Sequence, residues 1–129
     1  MKKPAVGSLG WMDLTVKDAV AVRDFYKDVA GWSATGLDMG GYEDFVMMPP
    51  GGGETPVGGI CHARGPNEDQ PTGWIIYIIV ANLEHSLERV TAMGGRVRGK
   101  IRSAGPSGRF CLIEDPSGTM SALFEQAGD

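Results

Sequence analysis

Cysteine is scarce in this chain, and the scarcity excludes a disulfide-built scaffold. Cys61 and Cys111 are the only two, they stand far apart, and no Cys-x-x-Cys spacing marks a zinc or redox site. Two reduced, half-buried thiols are expected. Positive charge is also short: 12 Lys and Arg face 16 Asp and Glu, for a net charge of -4 and a pI near 5.1. Binding a phosphate backbone needs a basic surface that releases counterions, so no nucleic-acid partner is expected. Long hydrophobic runs are missing as well. The longest, Trp74 to Ala81, falls far short of the roughly 20 residues that span a bilayer. Met1, Lys2 and Lys3 lead into no apolar segment of the kind a signal peptide carries. The expectation is a soluble, cytoplasmic protein with no membrane partner. Finally, the Gly51 to Gly53 run has no Lys-Ser/Thr behind it and no following helix, which excludes a phosphate loop and leaves a lip over a pocket.

What the chain does have is repetition. Trp11 to Ala30 recurs 64 positions later as Ile75 to Gly94. In each copy a short apolar strand runs into an amphipathic helix, with Ala19, Val22, Tyr26 and Val29 matched by Leu83, Ser86, Val90 and Met93 on the inward face. Gly31 then falls on Gly95 as the helix stop. The first copy reads strand Leu9 to Val16, helix Asp18 to Ala30 with Asp18 as cap, a strand from near Trp32, a Gly40-Gly41 turn, and strands Tyr42 to Met48 and Val57 to His62. The second reads strand Trp74 to Val80, helix Leu83 to Met93 capped by Asn82, and strands Arg96 to Lys100, Arg109 to Glu114 and Met120 to Glu125. At 129 residues this is one α+β domain, residues 1–129. It is built from two βαβββ modules, about 7–63 and 74–126, joined by a linker at 64–73. Two such modules suggest a pseudo-twofold axis between them, and their interface is the natural place for a pocket. The strand Ile75 to Val80 shows no polar alternation, so both of its faces should be covered.

From Gly7 to Gln126 the chain resembles the vicinal oxygen chelate superfamily, which includes glyoxalase I, extradiol dioxygenases, fosfomycin-resistance enzymes and bleomycin-resistance proteins. The carriers are the paired βαβββ plan, Phe25-Tyr26 followed by Val29-Ala30-Gly31-Trp32, the Gly94-Gly95 stop, and Asp115-Pro116-Ser117-Gly118 before the last strand. Phe25, Tyr26 and Trp32 are expected to be core residues. The resemblance implies the glyoxalase/bleomycin-resistance fold, in which the two modules form an open cup, and, by likeness to its drug-sequestering members, a homodimer. It also implies a divalent metal held by His or Gln near the start of each module's first strand and by Glu in the last. Counting back five residues from Val16 and Val80 puts Trp11 and Ile75 at two of those positions. Counting seven on from Asp115 gives Ala122, whose counterpart is Gly59. None of these four side chains ligates a metal. The expectation is therefore no metal site at the usual positions, with whether the chain is an enzyme left open.

Strand parity then sets the cup lining, since residues two apart share a face. Trp11 and Asp13 with Thr15, Tyr77 with Ile79, and Phe110, Leu112 and Glu114 are predicted to point inward. The candidate ligand-binding residues are thus Trp11, Asp13, Tyr77, Phe110, Leu112 and Glu114. An acidic, aromatic pocket of this kind favours a cationic or polar aromatic ligand. His62 and its counterpart Glu125 sit an odd number of residues past Gly59 and Ala122, which turns them away from the cup, and His85 reads as a solvated helix residue. The leading reading is a small-molecule-binding protein that works without the usual family metal. Its alternatives are a metal-dependent lyase, isomerase or dioxygenase with a relocated site drawn from Asp13, Tyr77, His62, Glu114 and Glu125, and a bare structural module whose interface is its function.

Overall fold

The computed structural model describes residues 3–51 and 55–128. Of the loop expected at Pro49 to Gly53, Gly52 and Gly53 lie outside the described residues. The elements in chain order are β1 (Leu9–Val16), α1 (Ala19–Ala30), β2 (Ser33–Asp38), β3 (Glu43–Met48), β4 (Gly58–His62), β5 (Trp74–Ile79), α2 (Leu83–Ala92), β6 (Arg96–Val97), β7 (Arg102–Ser103), β8 (Gly108–Glu114) and β9 (Met120–Gln126). Single 3-10 turns stand at Gly65–Asn67 and Gly105–Ser107. The order follows the expected repeated βαβββ plan, with one additional short strand, β7, in the second copy. No helix among the described residues is long and apolar enough to cross a membrane.

The chain forms two compact units, one of Met12–Trp74 and one of Met1–Trp11 with Ile75–Asp129. In the first, the strands run β2-β3-β4-β1, with β1 and β4 parallel and the other pairs antiparallel. In the second the order is β5-β9-β8-β6, with β5 and β9 parallel, and β7 also pairs with β8. The register repeats between the units: Asp13 lies beside Gly59 as Tyr77 lies beside Ala122.

Each helix covers one face of its own sheet. Ala19, Phe45, Met47 and Ile60 form the buried core under α1, joined by Val22, Tyr26 and Trp32. Leu83, Cys111, Ile113 and Leu123 form the corresponding core under α2, with Leu87 and Val90 packed against them. Both caps stand where expected: Asp18 Oδ1 accepts from Ala21 N at 3.0 Å, and Asn82 Oδ1 accepts from His85 N at 2.9 Å. The Asp115 turn is closed by its own carboxylate, which accepts from Ser117 N at 2.8 Å and Thr119 N at 3.1 Å. In β5 both faces are covered, Ile75 and Tyr77 on one side and Ile78 against the α2 core on the other.

Several local expectations shift. The left-handed stop that matches Gly31 (φ 72°) is Gly94 (φ 91°), not Gly95, because α2 ends two residues sooner than α1. Gly95 is held for another reason: a Cβ there would lie 2.6 Å from the Glu114 carbonyl oxygen. Leu87, not Ser86, completes the inward stripe of α2. Val29 and Met93 are 61% and 67% exposed, so the covered stripe ends before them. Phe25 is 56% exposed and stands edge-to-face with Tyr26 (centroids 5.0 Å apart, planes at 89°), while Tyr26 and Trp32 are core residues as expected. The strand expected at Arg96 to Lys100 stops at Val97, two residues before Gly99 takes up a φ of 99°. The chain then resumes pairing as β7, which carries no sequence signal.

These cores generate a stability prediction. Truncating the fully buried Ile60 to Ala should cost about 3 kcal/mol, transfer and cavity terms together, in urea unfolding. Truncating Leu37, which is 53% exposed on β2, should change stability by no more than about 0.5 kcal/mol. Equal effects would mean that the α1-facing side of this sheet is not its core.

Candidate functional site

The face of each sheet turned away from its helix is where side chains are free to do chemistry. In the unit that contains β5, β8 and β9, alternation sends Cys111, Ile113 and Leu123 toward α2, and Phe110, Leu112, Ala122 and Phe124 the other way. Ile75, Tyr77, Leu112 and Ala122 are buried together on that second face, with Trp11, Phe110, Met120 and Phe124 packed around them. Tyr77 and Phe110 meet at 5.5 Å between centroids with planes at 67°.

A cavity of about 700 Å³ opens on this face, and every residue that lines it belongs to this one unit. Its apolar walls are Trp11, Tyr77, Ile79 and Phe124. Gly10 lies alongside, and a methyl group there would overlap Ile79 Cδ1, so the bare backbone is what lets the start of β1 lie against β5. The polar lining comes from Lys3, Ser107 and Gln126. These are tied into one group: Lys3 Nζ donates to Ala127 O at 2.6 Å, Ala127 N donates to Ser107 O at 2.9 Å, and Gln126 Nε2 donates to Pro4 O at 3.0 Å.

The predicted lining divides as follows. Trp11 and Tyr77 line the cavity, and Phe110 and Leu112 pack in the cluster that supports them. Glu114, at the far end of β8, faces Arg98 at 3.6 Å and is not among the cavity's lining residues. Asp13 belongs to the other unit, beside Gly59. The acidic character expected of the pocket is therefore not a property of this cavity, whose charged lining side chain is Lys3. Parity extended along β9 from Ala122 reaches Phe124 and Gln126, so both were within reach of the sequence. Lys3 and Ser107 were not, because nothing in their neighbourhood predicts that the two chain segments meet.

The metal positions that the resemblance implies do not fit a metal. Trp11, Ile75 and Ala122 belong to one apolar cluster and offer no donor, and Gly59 has no side chain. Among the described residues no three His, Cys, Asp or Glu side chains form a group that could hold an ion. His62 lies on the α1-facing side of its sheet, its ring 5.6 Å from Tyr42 and 6.2 Å from Phe45, and its backbone N–H donates to the buried Asp44 at 2.8 Å. Glu125 is engaged at the start of α2, where it accepts from Leu83 N at 2.8 Å and from Arg109, which also clasps Glu84 through both of its terminal nitrogens. His85 is exposed, as expected. The Cys61 thiol is pushed far up by burial, and further by the carboxylates of Asp13 and Asp44. Cys111, expected half-buried, is fully buried, and burial raises it too.

A family model described as the Glyoxalase/Bleomycin resistance protein/Dioxygenase superfamily matches residues 8–123. A Mycobacterium bovis protein provisionally named glyoxylase CFP32 is 28% identical over 119 residues, 92% of this chain and 46% of that protein. The anthracycline biosynthesis protein DauV of a Streptomyces species is 29% identical over 139 residues, 98% of this chain and 50% of its own length. The chain thus spans about half the length of these curated relatives. Among solved structures, methylmalonyl-CoA epimerase from Mycobacterium tuberculosis superposes with a TM-score of 0.59 at 17% identity, covering 99% of this chain and 93% of its own, a likeness of fold.

Two measurements follow from the electrostatics. Arg109 holds Glu84 and Glu125 below the ordinary carboxylate range, so their contribution to stability is present above that range and is lost as pH falls through the lower native values. Urea midpoints recorded between about pH 5 and pH 3 should fall less steeply in Arg109→Met than in the wild type, and parallel curves would refute the coupling. Separately, both thiols should react with a disulfide reagent at pH 7.5 at least about tenfold more slowly in the native chain than in urea. Rapid native labelling of Cys61 would contradict its partial burial beside the carboxylates of Asp13 and Asp44.

Proposed function

Because the chain belongs to the glyoxalase/bleomycin resistance protein/dioxygenase superfamily, we propose that it binds a small organic molecule in the cavity walled by Trp11, Tyr77, Ile79 and Phe124, and that it does so without a metal at the family's usual positions. The observation that carries this reading is the conversion of three of those positions, Trp11, Ile75 and Ala122, into one apolar cluster beside a cavity large enough for a drug-sized ligand. Burying a ligand against such walls releases water from apolar surface, and the few polar groups at one end fix its orientation.

Phe110 and Leu112 act in this reading from behind. They hold Tyr77 at its angle and keep the wall rigid without touching the ligand. Asp13 and Glu114 have no assigned part in the cavity. The names of the curated relatives, a glyoxylase and an anthracycline biosynthesis protein, both speak of small-molecule chemistry and favour the same reading. The alternative, an enzyme with a relocated metal, gains no support from the groups available to it. His62 packs on aromatic rings, Glu125 is bound to Arg109 and Leu83, and Glu114 faces Arg98. The homodimer implied by the resemblance forms part of the same proposal.

Thermal melts and calorimetry test it. A ligand present at a hundredfold over its dissociation constant adds about 2.7 kcal/mol to native stability, a readily measured shift. A metabolite and antibiotic panel should yield at least one such ligand, and Trp11→Ala should weaken it by about tenfold or more. Ni, Zn, Mn, Fe(II) and Co added to chelator-stripped protein should give no shift. Stoichiometric metal with a clear shift would overturn the metal-free part. Light scattering of the eluted protein should give twice the chain mass of 13.7 kDa, and a monomer would remove the dimer from the proposal.

A further inference from the structure

We infer that Gln126 determines specificity in this cavity: its side-chain carbonyl oxygen reads a hydrogen-bond donor, a hydroxyl or an N–H, carried by a flat aromatic ligand. The inference rests on the reading of the cavity as the binding site and adds the residue that selects and the group that it selects.

Strand β9 carries both halves of the recognition. Phe124 and Gln126 stand on its same face two residues apart, about 7 Å along the strand, and both line the cavity. Around Phe124 the wall is aromatic, with Tyr77 from the neighbouring β5 and Trp11 from β1 in one apolar cluster. Rings gathered this way pair with a planar ring by offset stacking and edge contacts, geometries that a saturated ligand of equal size does not exploit. A two-ring ligand lying on that wall spans a similar distance, so a substituent at its end comes beside the Gln126 amide.

The orientation of that amide decides what it reads. Gln126 Nε2 donates to Pro4 O at 3.0 Å, and only the nitrogen end of an amide can face a carbonyl oxygen. Pro4 itself lines the cavity, so the amide is fixed end for end at the wall before any ligand arrives. Among the described residues Oε1 takes no hydrogen bond, and no buried side-chain oxygen or nitrogen lacks a partner, so Oε1 is open to solvent. An acceptor already in place and served by exchangeable water rewards a ligand that donates to it. It penalises a ligand that only accepts, because the oxygen is then desolvated with no donor in return. Ser107, which also lines the cavity, carries a hydroxyl that turns to either role and therefore does not discriminate.

Equilibrium dialysis at pH 6.5 with three ligands tests this: 2-naphthol, 2-methoxynaphthalene, which accepts a hydrogen bond and cannot donate one, and 2-methoxydecahydronaphthalene, its saturated counterpart. None of the three is ionised at that pH, so the differences between them do not depend on the charge of Lys3. Naphthol should bind at least about fivefold more tightly than its ether, and the aromatic ether at least about threefold more tightly than the saturated one. Gln126→Met should bring naphthol and its ether within about twofold of each other. The ether should keep its wild-type affinity within about twofold, which shows that the variant is folded, and Ser107→Ala should retain the preference for naphthol. An ether that binds wild type as well as naphthol does, or a preference that survives Gln126→Met or vanishes in Ser107→Ala, would overturn the assignment to Gln126 and leave the cavity reading standing. A saturated ether that matches the aromatic one would overturn the aromatic half. If none of the three binds, or if Trp11→Ala alters none of them, the cavity reading itself fails and the assignment falls with it.

Discussion

In each unit the first strand of the βαβββ run pairs in parallel with the last, β1 with β4 and β5 with β9, and the rest of the architecture depends on that constraint. Parallel neighbours cannot be joined by a tight turn, so the chain must leave the sheet and return. The helix and the intervening strands, two in the first unit and three in the second, are that detour. Once the detour is made, the helix covers one face and the other face is left for side chains with a different task. The same pairing sets the register that puts Tyr77 beside Ala122, where a fully buried methyl leaves room for a ring. The cavity therefore follows from strand order before any lining residue is chosen.

Chemistry on that face is decided by a few substitutions in kind. Trp11, Ile75 and Ala122, which stand where the resemblance implies metal ligands, belong to one apolar cluster. The titratable groups that invite a catalytic reading are spent on structure. Arg109 joins Glu84 and Glu125 at the start of α2, and Asp44 closes on the His62 backbone. Lys3 is among the residues that line the described cavity, and Asp13 and Glu114 are not.

Much of this was legible from the chain itself. The 64-residue repeat reveals both βαβββ runs, and Asp18 and Asn82 stand as caps because short polar side chains before an apolar stripe have one good use there. Trp11, Tyr77, Phe110 and Leu112 share a face because alternation along a strand is a geometric fact. The failures share a cause too. Repeats with unequal spacing carry a correct alignment into a wrong residue, as with Gly95 for Gly94. Helical periodicity locates a stripe but not where the covered surface ends, so Val29, Met93 and Phe25 were buried on paper and are exposed in the fold. Lys3 and Ser107 are the deepest misses, since tertiary contact alone brings residues 104 positions apart to one cavity.

The distribution of tryptophans has an optical consequence. Trp32 and Trp74 lie in one unit, 6.1 Å apart at 86° and both in contact with Tyr26, whereas Trp11 is the single indole of the other. Transition dipoles that close together couple, so the first pair should dominate the near-ultraviolet circular dichroism, while Trp11 emits as an isolated chromophore. The two units therefore carry separate intrinsic signals, and loss of order in either one is visible without a label.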